Sequence, residues 1–117
     1  MVAPTSLPIR PLAGEVFVAP QLAPGDLAEA ARAGFRSIVN NRPDFEGGPD
    51  QPTHAEMAAA AAAAGLEYRF LPVNGAYQSP EEIKAFGALM AELPHPVLAF
   101  CRSGARSTRL YMAALGG

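Results

Sequence analysis

The stretch Val97-Leu98-Ala99-Phe100-Cys101-Arg102-Ser103-Gly104-Ala105-Arg106-Ser107-Thr108-Arg109-Leu110 decides how this chain is read. An apolar run of strand length ends at Cys101, a short loop with a single glycine follows, and a helix is expected from about Arg106 or Ser107. Successive backbone N–H groups in such a loop can turn inward and cradle an anion. The helix behind it adds unpaired N–H groups and the positive end of its dipole. Gly104 supplies the positive φ that a tight turn of this kind needs. A cysteine at the base of the cradle, beside arginines, is expected to fall from a pKa of about 8.5 far enough to be a thiolate at neutral pH. A thiolate is a strong nucleophile, and the cradle stabilises the charge on the group it takes up. The plain alternative is a small buried residue at a strand end. Arg102, Gly104 and Arg106, all within five positions of Cys101, weigh against it.

Working outward, three more strand-length runs appear: Val16-Phe17-Val18, Ser37-Ile38-Val39-Asn40 and Tyr68-Arg69-Phe70-Leu71. Between them, Asp26-Leu-Ala-Glu29, Thr53-His-Ala-Glu56 and Ser79-Pro-Glu-Glu82 each place a capping side chain three residues before a glutamate, the pattern of a capping box. Gly34 and Gly65 mark helix ends, and the third helix should stop near Leu93, before Pro94 and Pro96. The alanine run Ala58 to Ala64 reads as a close-packed helix. Strands alternating with helices predict an α/β fold: a mostly parallel central sheet of four to five strands, helices on both faces. The loop from Arg42 to Pro52 leaves a strand's C-terminal end, where open α/β sheets build their sites.

The 117 residues suit a single domain spanning 1–117. They are 50% hydrophobic and 17% charged, which argues against a disordered chain. A net charge of −2 offers no field for nucleic acid or an anionic membrane. No apolar run reaches the roughly 18 residues a membrane span needs. With neither a secretory leader nor a second cysteine visible, the sequence predicts a cytoplasmic protein without disulfides and without a cysteine-based zinc site. His54 and His95 have no second ligand at metal spacing and are expected to face solvent, so no metal or cofactor is expected.

Two known enzyme groups use a strand–cysteine loop–helix of this kind. Protein-tyrosine and dual-specificity phosphatases place the arginine one residue further from the cysteine, usually with a histidine just before it. Rhodanese-type sulfurtransferases use a shorter loop, and Cys101-Arg-Ser-Gly-Ala-Arg106, preceded by Phe100, looks like that second pattern. The rest of the chain resembles a third group. Gly34-Phe-Arg-Ser-Ile-Val-Asn-Asn-Arg-Pro-Asp44, Gln51-Pro-Thr-His-Ala-Glu-Met57, Leu71-Pro-Val-Asn-Gly75 and Ser79-Pro-Glu-Glu82 are similar to the phosphatase-like domain of beta-lactamase-hydrolase-like proteins, also described as a sulfur transferase family. The resemblance implies a dual-specificity-phosphatase-like fold and a role in bacterial sulfide metabolism. It also implies a persulfide-dioxygenase-like partner, either fused or separate. Members carry a further segment after the position where this chain reads Leu115-Gly-Gly, implying a truncated form whose last helix a dimer or partner would cover.

The resemblance carries over most directly to Cys101 and the loop through Arg106, with Cys101 and Arg106 as catalytic residues. Arg102, Ser103, Gly104, Ala105 and Ser107 form the anion cradle, and Arg42 either joins it or pairs with Asp44 or Glu46. Asp44 and Asn74 are auxiliary candidates. A phosphatase needs a general acid for the leaving alkoxide, and Asn74 stands where dual-specificity phosphatases often carry one; Asp44 or Glu46 would have to substitute. A sulfurtransferase needs no such acid. The leading expectation is therefore a sulfurtransferase passing a sulfane sulfur from thiosulfate or a persulfide through Cys101. The alternatives are a cysteine-dependent phosphatase acting on a phosphate ester and a non-catalytic anion-binding module.

Overall fold

A computed structural model describes residues 2–116 of the chain. Five strands, β1 (Arg10–Ala13), β2 (Val16–Ala19), β3 (Ser37–Asn40), β4 (Glu67–Phe70) and β5 (Val97–Phe100), form one sheet in the order β1-β2-β5-β3-β4. Four are mutually parallel, and β1 alone runs antiparallel, on the edge beside β2. Helices α1 (Asp26–Ala33) and α2 (His54–Ala63) cover one face; α3 (Pro80–Glu92) and α4 (Ala105–Gly116) cover the other.

The side-chain period of two divides each central strand between two cores. Ile38, Leu98 and Phe100 pack with Leu27, Ala30, Met57 and Ala61 under α1 and α2. Val39, Val97 and Ala99 pack with Phe86 and Leu110 under α3 and α4. Because both faces are covered, β3 and β5 are buried at every position, which is why they read as unbroken runs.

Most expected helix boundaries hold. Thr53 and Ser79 close complete capping boxes with Glu56 and Glu82. Gly34 (φ 110°) and Gly65 (φ 77°) adopt the left-handed conformation at their helix ends. The box at Asp26 does not form: Gly25 is the N-cap, no side chain caps it, and Asp26 Oδ2 instead accepts the N–H of Ala23 at 2.8 Å. Glu29 accepts from Thr5 Oγ1 and Arg32, not from the helix start. Strand β1 was not expected, since Pro11 and its exposed neighbours give no alternation; it pairs only through the edge of β2. Both histidines are half-buried rather than free in solvent: His54 stacks on Phe70 at 4.1 Å, and His95 Nε2 lies 2.7 Å from the carbonyl of Met90. Among the described residues no helix is long and apolar enough to cross a membrane.

Register places the site. Ala19, Phe100, Asn40 and Phe70 sit side by side at the C-terminal ends of β2, β5, β3 and β4. The chain therefore leaves the sheet at Pro20, Cys101, Asn41 and Leu71 along one edge, with β5 in the middle. A central strand flanked by β2 and β3 opens a crevice between diverging connections.

Candidate active site

Cys101 leaves β5 with its residue only 1% exposed, anchored by its N–H on the carbonyl of Ala19 at 3.4 Å. The loop curls around the sulfur, and Gly104 donates its N–H to Cys101 Sγ at 3.0 Å. This turn requires glycine: φ is 92°, and a Cβ there would stand 2.6 Å from Arg10 Nη2 and 3.4 Å from the Ala19 carbonyl. Helix α4 starts immediately, with Thr108 N–H and Oγ1 both on the carbonyl of Gly104 at 3.0 and 2.8 Å. In its first turn Ala105 N–H is held by Ser103 Oγ at 3.3 Å, and Ser107 N–H faces the sulfur.

Burial pushes the Cys101 thiol up, but donors around the sulfur outweigh it and the pKa is lowered. They are led by the N–H of Ser107, with the N–H groups of Gly104 and Ser103, and the Ser107 hydroxyl lies close enough to join them when its proton turns to the sulfur. The amides are fixed, but the hydroxyl carries a single proton. Asn41 Nδ2 donates to the carbonyl of Leu71 at 3.0 Å, which turns Asn41 Oδ1 towards Ser107, and Ser107 Oγ donates to it at 2.8 Å. That proton reaches the sulfur only by leaving Asn41.

Arg106 is 7% exposed and its guanidinium is anchored on three groups. Nη1 donates to the carbonyls of Val73 at 3.0 Å and Asn41 at 3.5 Å, and Nη2 pairs with Glu46 Oε1 at 3.0 Å. Its Nε is buried with no partner among the described residues. Gly75 lies against this guanidinium; a Cβ there would stand 2.9 Å from Nη2.

Arg42 joins the same cluster. Its Nε donates to Glu46 Oε1 at 2.9 Å and its Nη1 to Gln21 Oε1 at 3.1 Å. The sequence left Arg42 between anion binding and an ion pair with Asp44 or Glu46; the pair forms, with Glu46. Burial raises the Glu46 carboxyl, and the two arginines more than reverse this, so its pKa is lowered. Phe45, in the left-handed region at φ 63°, and Gln51, which accepts from Gly47 N–H at 2.8 Å and donates to the Pro43 carbonyl at 2.8 Å, hold the loop so that Glu46 faces both arginines.

The remaining candidates lie as follows. Arg102, Ser103 and Ala105 are exposed on the loop's rim. Asp44 Oδ1 accepts the N–H of His54 at 2.8 Å, a structural bond at the start of α2. Asn74 is exposed and folds back on the Ala76 N–H at 2.7 Å. Arg109 is exposed but not idle, donating to the Gly75 carbonyl at 2.7 Å. Glu46 was expected only as a partner of Arg42 or a substitute acid, not as a partner of Arg106, and Gln21 and Gly75 were not expected at the site. Glu46 carried a usable signal, four positions after Arg42 in one loop; Gln21 and Gly75 did not. Among the described residues no three His, Cys, Asp or Glu side chains converge to hold a metal.

The chain has counterparts in sequence and in fold. The chain is 41% identical over 101 residues to the beta-lactamase hydrolase-like protein of Agrobacterium fabrum, covering 86% of this chain and 22% of that one. It thus spans about a fifth of the length of that relative. Among solved structures, a candidate phosphatase from Neisseria meningitidis superposes with a TM-score of 0.83 at 30% identity, covering 91% of this chain and 75% of that one. The catalytic core of the PP-IP phosphatase SIW14 from Saccharomyces cerevisiae shares the fold alone, with a TM-score of 0.63 at 14% identity over 87% of this chain and 60% of that one. The family profile "Beta-lactamase hydrolase-like protein, phosphatase-like domain" matches residues 8–116. With that match laid over a buried cysteine in an amide-lined loop, the chain belongs to the phosphatase-like domain family of beta-lactamase-hydrolase-like proteins.

Proposed function

We propose that the chain is a cysteine-dependent phosphatase. The observation that carries this reading is the loop wrapped on its own nucleophile: Gly104 N–H on Cys101 Sγ at 3.0 Å, with the Ser103 and Ser107 amides around the same sulfur. Those amides stabilise a thiolate before substrate arrives and a phosphoryl group once it is attached. Arg106, with its buried unpartnered Nε, supplies a further donor to the phosphoryl oxygens. The thiolate attacks phosphorus, the S–P bond forms, and the P–O bond to the leaving group breaks with its electron pair going to oxygen. Water then attacks phosphorus, the S–P bond breaks back to thiolate, and phosphate leaves with the water's protons.

The comparisons support this phosphatase alternative over sulfur transfer, which finds no support in them. One observation favours sulfur transfer as a second reading: Arg106 stands five positions after Cys101, a ring one residue shorter than the phosphatase loop. One experiment separates the two. Wild type and Cys101→Ser are exposed in parallel to a fluorogenic aryl phosphate and to thiosulfate, and intact masses are recorded. Phosphate release and a phosphoryl adduct on wild type alone support the phosphatase. A sulfur adduct removable by thiol, without phosphate release, would replace it with the second reading.

A further inference from the structure

Resting on the phosphatase reading, we infer that the substrate is a phosphoanhydride: one phosphoryl group sits in the Cys101 cradle, and the leaving group is the neighbouring phosphate.

The first line of argument is proton supply. An alkoxide leaving group needs an acid beside the cradle. The carboxylates at this end of the sheet have other work. Asp26 accepts from Ala23 N–H, Asp44 from His54 N–H, and Glu56 and Glu82 close the capping boxes of α2 and α3. Asp50 and Glu81 are exposed, and among the described residues no hydrogen bond or ion pair holds either towards the Cys101 loop. Glu46 faces the site, but a single oxygen, Oε1, is shared by Arg42 Nε at 2.9 Å and Arg106 Nη2 at 3.0 Å, the arrangement of an ionised carboxylate. A leaving group that departs here does so unprotonated, so its conjugate acid must be strong.

The second line is charge. The chain has nine lysines and arginines against eleven acids, yet Arg10, Arg42, Arg102, Arg106 and Arg109 all gather on this loop and its neighbours. Arg10 Nη2 reaches the Ser103 carbonyl at 3.4 Å, Arg109 Nη2 the Gly75 carbonyl at 2.7 Å, and Arg102 is exposed on the rim. Such a rim suits a leaving group that is itself an anion, and it discriminates a second phosphate from a neutral aromatic ring. Both lines converge on an anhydride: the bridging oxygen takes the electron pair of the broken P–O bond, stays unprotonated on the departing phosphate, and the arginines receive it.

The test measures phosphate release from inorganic diphosphate, a nucleoside diphosphate, a series of aryl phosphates of graded leaving-group acidity, and glycerol phosphate. The expectation is turnover of the diphosphates, with glycerol phosphate roughly 10²–10⁴-fold below the most acidic aryl phosphate, the contribution a general acid would otherwise make. Arg102→Ala should lower kcat/KM for the diphosphates about tenfold more than for the aryl phosphates, the loss of one charged hydrogen bond. Glycerol and aryl phosphates turned over alike, or diphosphates untouched by an enzyme that cleaves aryl phosphates, overturns the anhydride and leaves the phosphatase standing. No release from any of them overturns both.

Discussion

Ser107 gives its hydroxyl proton to Asn41 Oδ1 at 2.8 Å and not to the cysteine whose charge it borders. The amide of Asn41 is held in that orientation by the Leu71 carbonyl, so the commitment is built into the β3–β4 side of the site. The thiolate consequently depends on fixed backbone amides, with one hydroxyl held in reserve.

Asn41→Ala should release that hydroxyl to the sulfur and lower the Cys101 pKa further. The pH profile of alkylation by iodoacetamide reads this directly: the wild-type curve should move to lower pH in Asn41→Ala and move back in Asn41→Ala/Ser107→Ala. An unmoved curve in the single variant would mean that the hydroxyl already serves the thiolate. Removing the buried amide leaves the Leu71 carbonyl without that donor, at a stability loss of about 1–3 kcal/mol.

Glu46 makes stability depend on pH. Its carboxyl titrates lower in the fold than in the unfolded chain, because two guanidinium groups share one of its oxygens. A lowered folded pKa contributes stability above the unfolded value of about 4.3, and that stability disappears as pH falls through the folded value. Glu46→Gln should therefore be less stable than wild type at pH 7, by about 1–3 kcal/mol for an ion pair only partly buried. The urea midpoints of the two proteins should converge as acid protonates Glu46. A constant gap between pH 7 and pH 3 would remove the bridge from the account.

Gly104→Ala and Gly75→Ala should separate backbone strain from site geometry. At 104 the φ of 92° puts alanine in a left-handed conformation that costs roughly 1–2 kcal/mol, and the amide on Cys101 Sγ shifts as well. Both Tm and thiol reactivity should fall. At 75 no positive φ intervenes, and the added methyl meets the Arg106 guanidinium, Nη2 at 2.9 Å with Cζ and Nε at 3.4 Å. Here Tm should hold within a few degrees while tungstate inhibition weakens about tenfold, as Arg106 is pushed from Glu46. Equal Tm losses in the two variants would contradict this division.

Much of this arrangement is legible in the sequence. Cys101, Gly104 and Arg106 announce their loop because strand, turn and helix signals fall within ten residues, and each has a local cause. Thr53 and Ser79 cap as expected for the same reason. What failed was tertiary. Asp26 carries a good local signature, but the chain turned one residue earlier and its carboxylate went to Ala23. Arg106 was legible as a loop residue, but its anchoring on Glu46, Val73 and Asn41, groups from two other connections, was not. No spacing rule brings residues 46 and 106 together; the parallel register of β3 and β5 does.

Asp44 supplies the sharpest remaining test, because the sequence offers it as an auxiliary acid and the structure bonds it to the start of α2. Its Oδ1 accepts the His54 N–H at 2.8 Å, alongside the Thr53 cap of α2. Asparagine keeps an oxygen acceptor there and loses only the ability to give up a proton. Asp44→Asn should hold Tm close to wild type and change kcat for an aryl phosphate with a weakly acidic leaving group, such as phenyl phosphate, by less than about twofold. Asp44→Ala should lose about 0.5–2 kcal/mol, the usual cost of removing a side-chain acceptor at a helix start. A general acid would behave in the opposite way: asparagine would preserve the helix and still slow esters with poor leaving groups by roughly 10²–10⁴-fold. Because that result appears in kcat and not in stability, thermal melts and turnover on the same two variants decide whether Asp44 holds a helix or moves a proton.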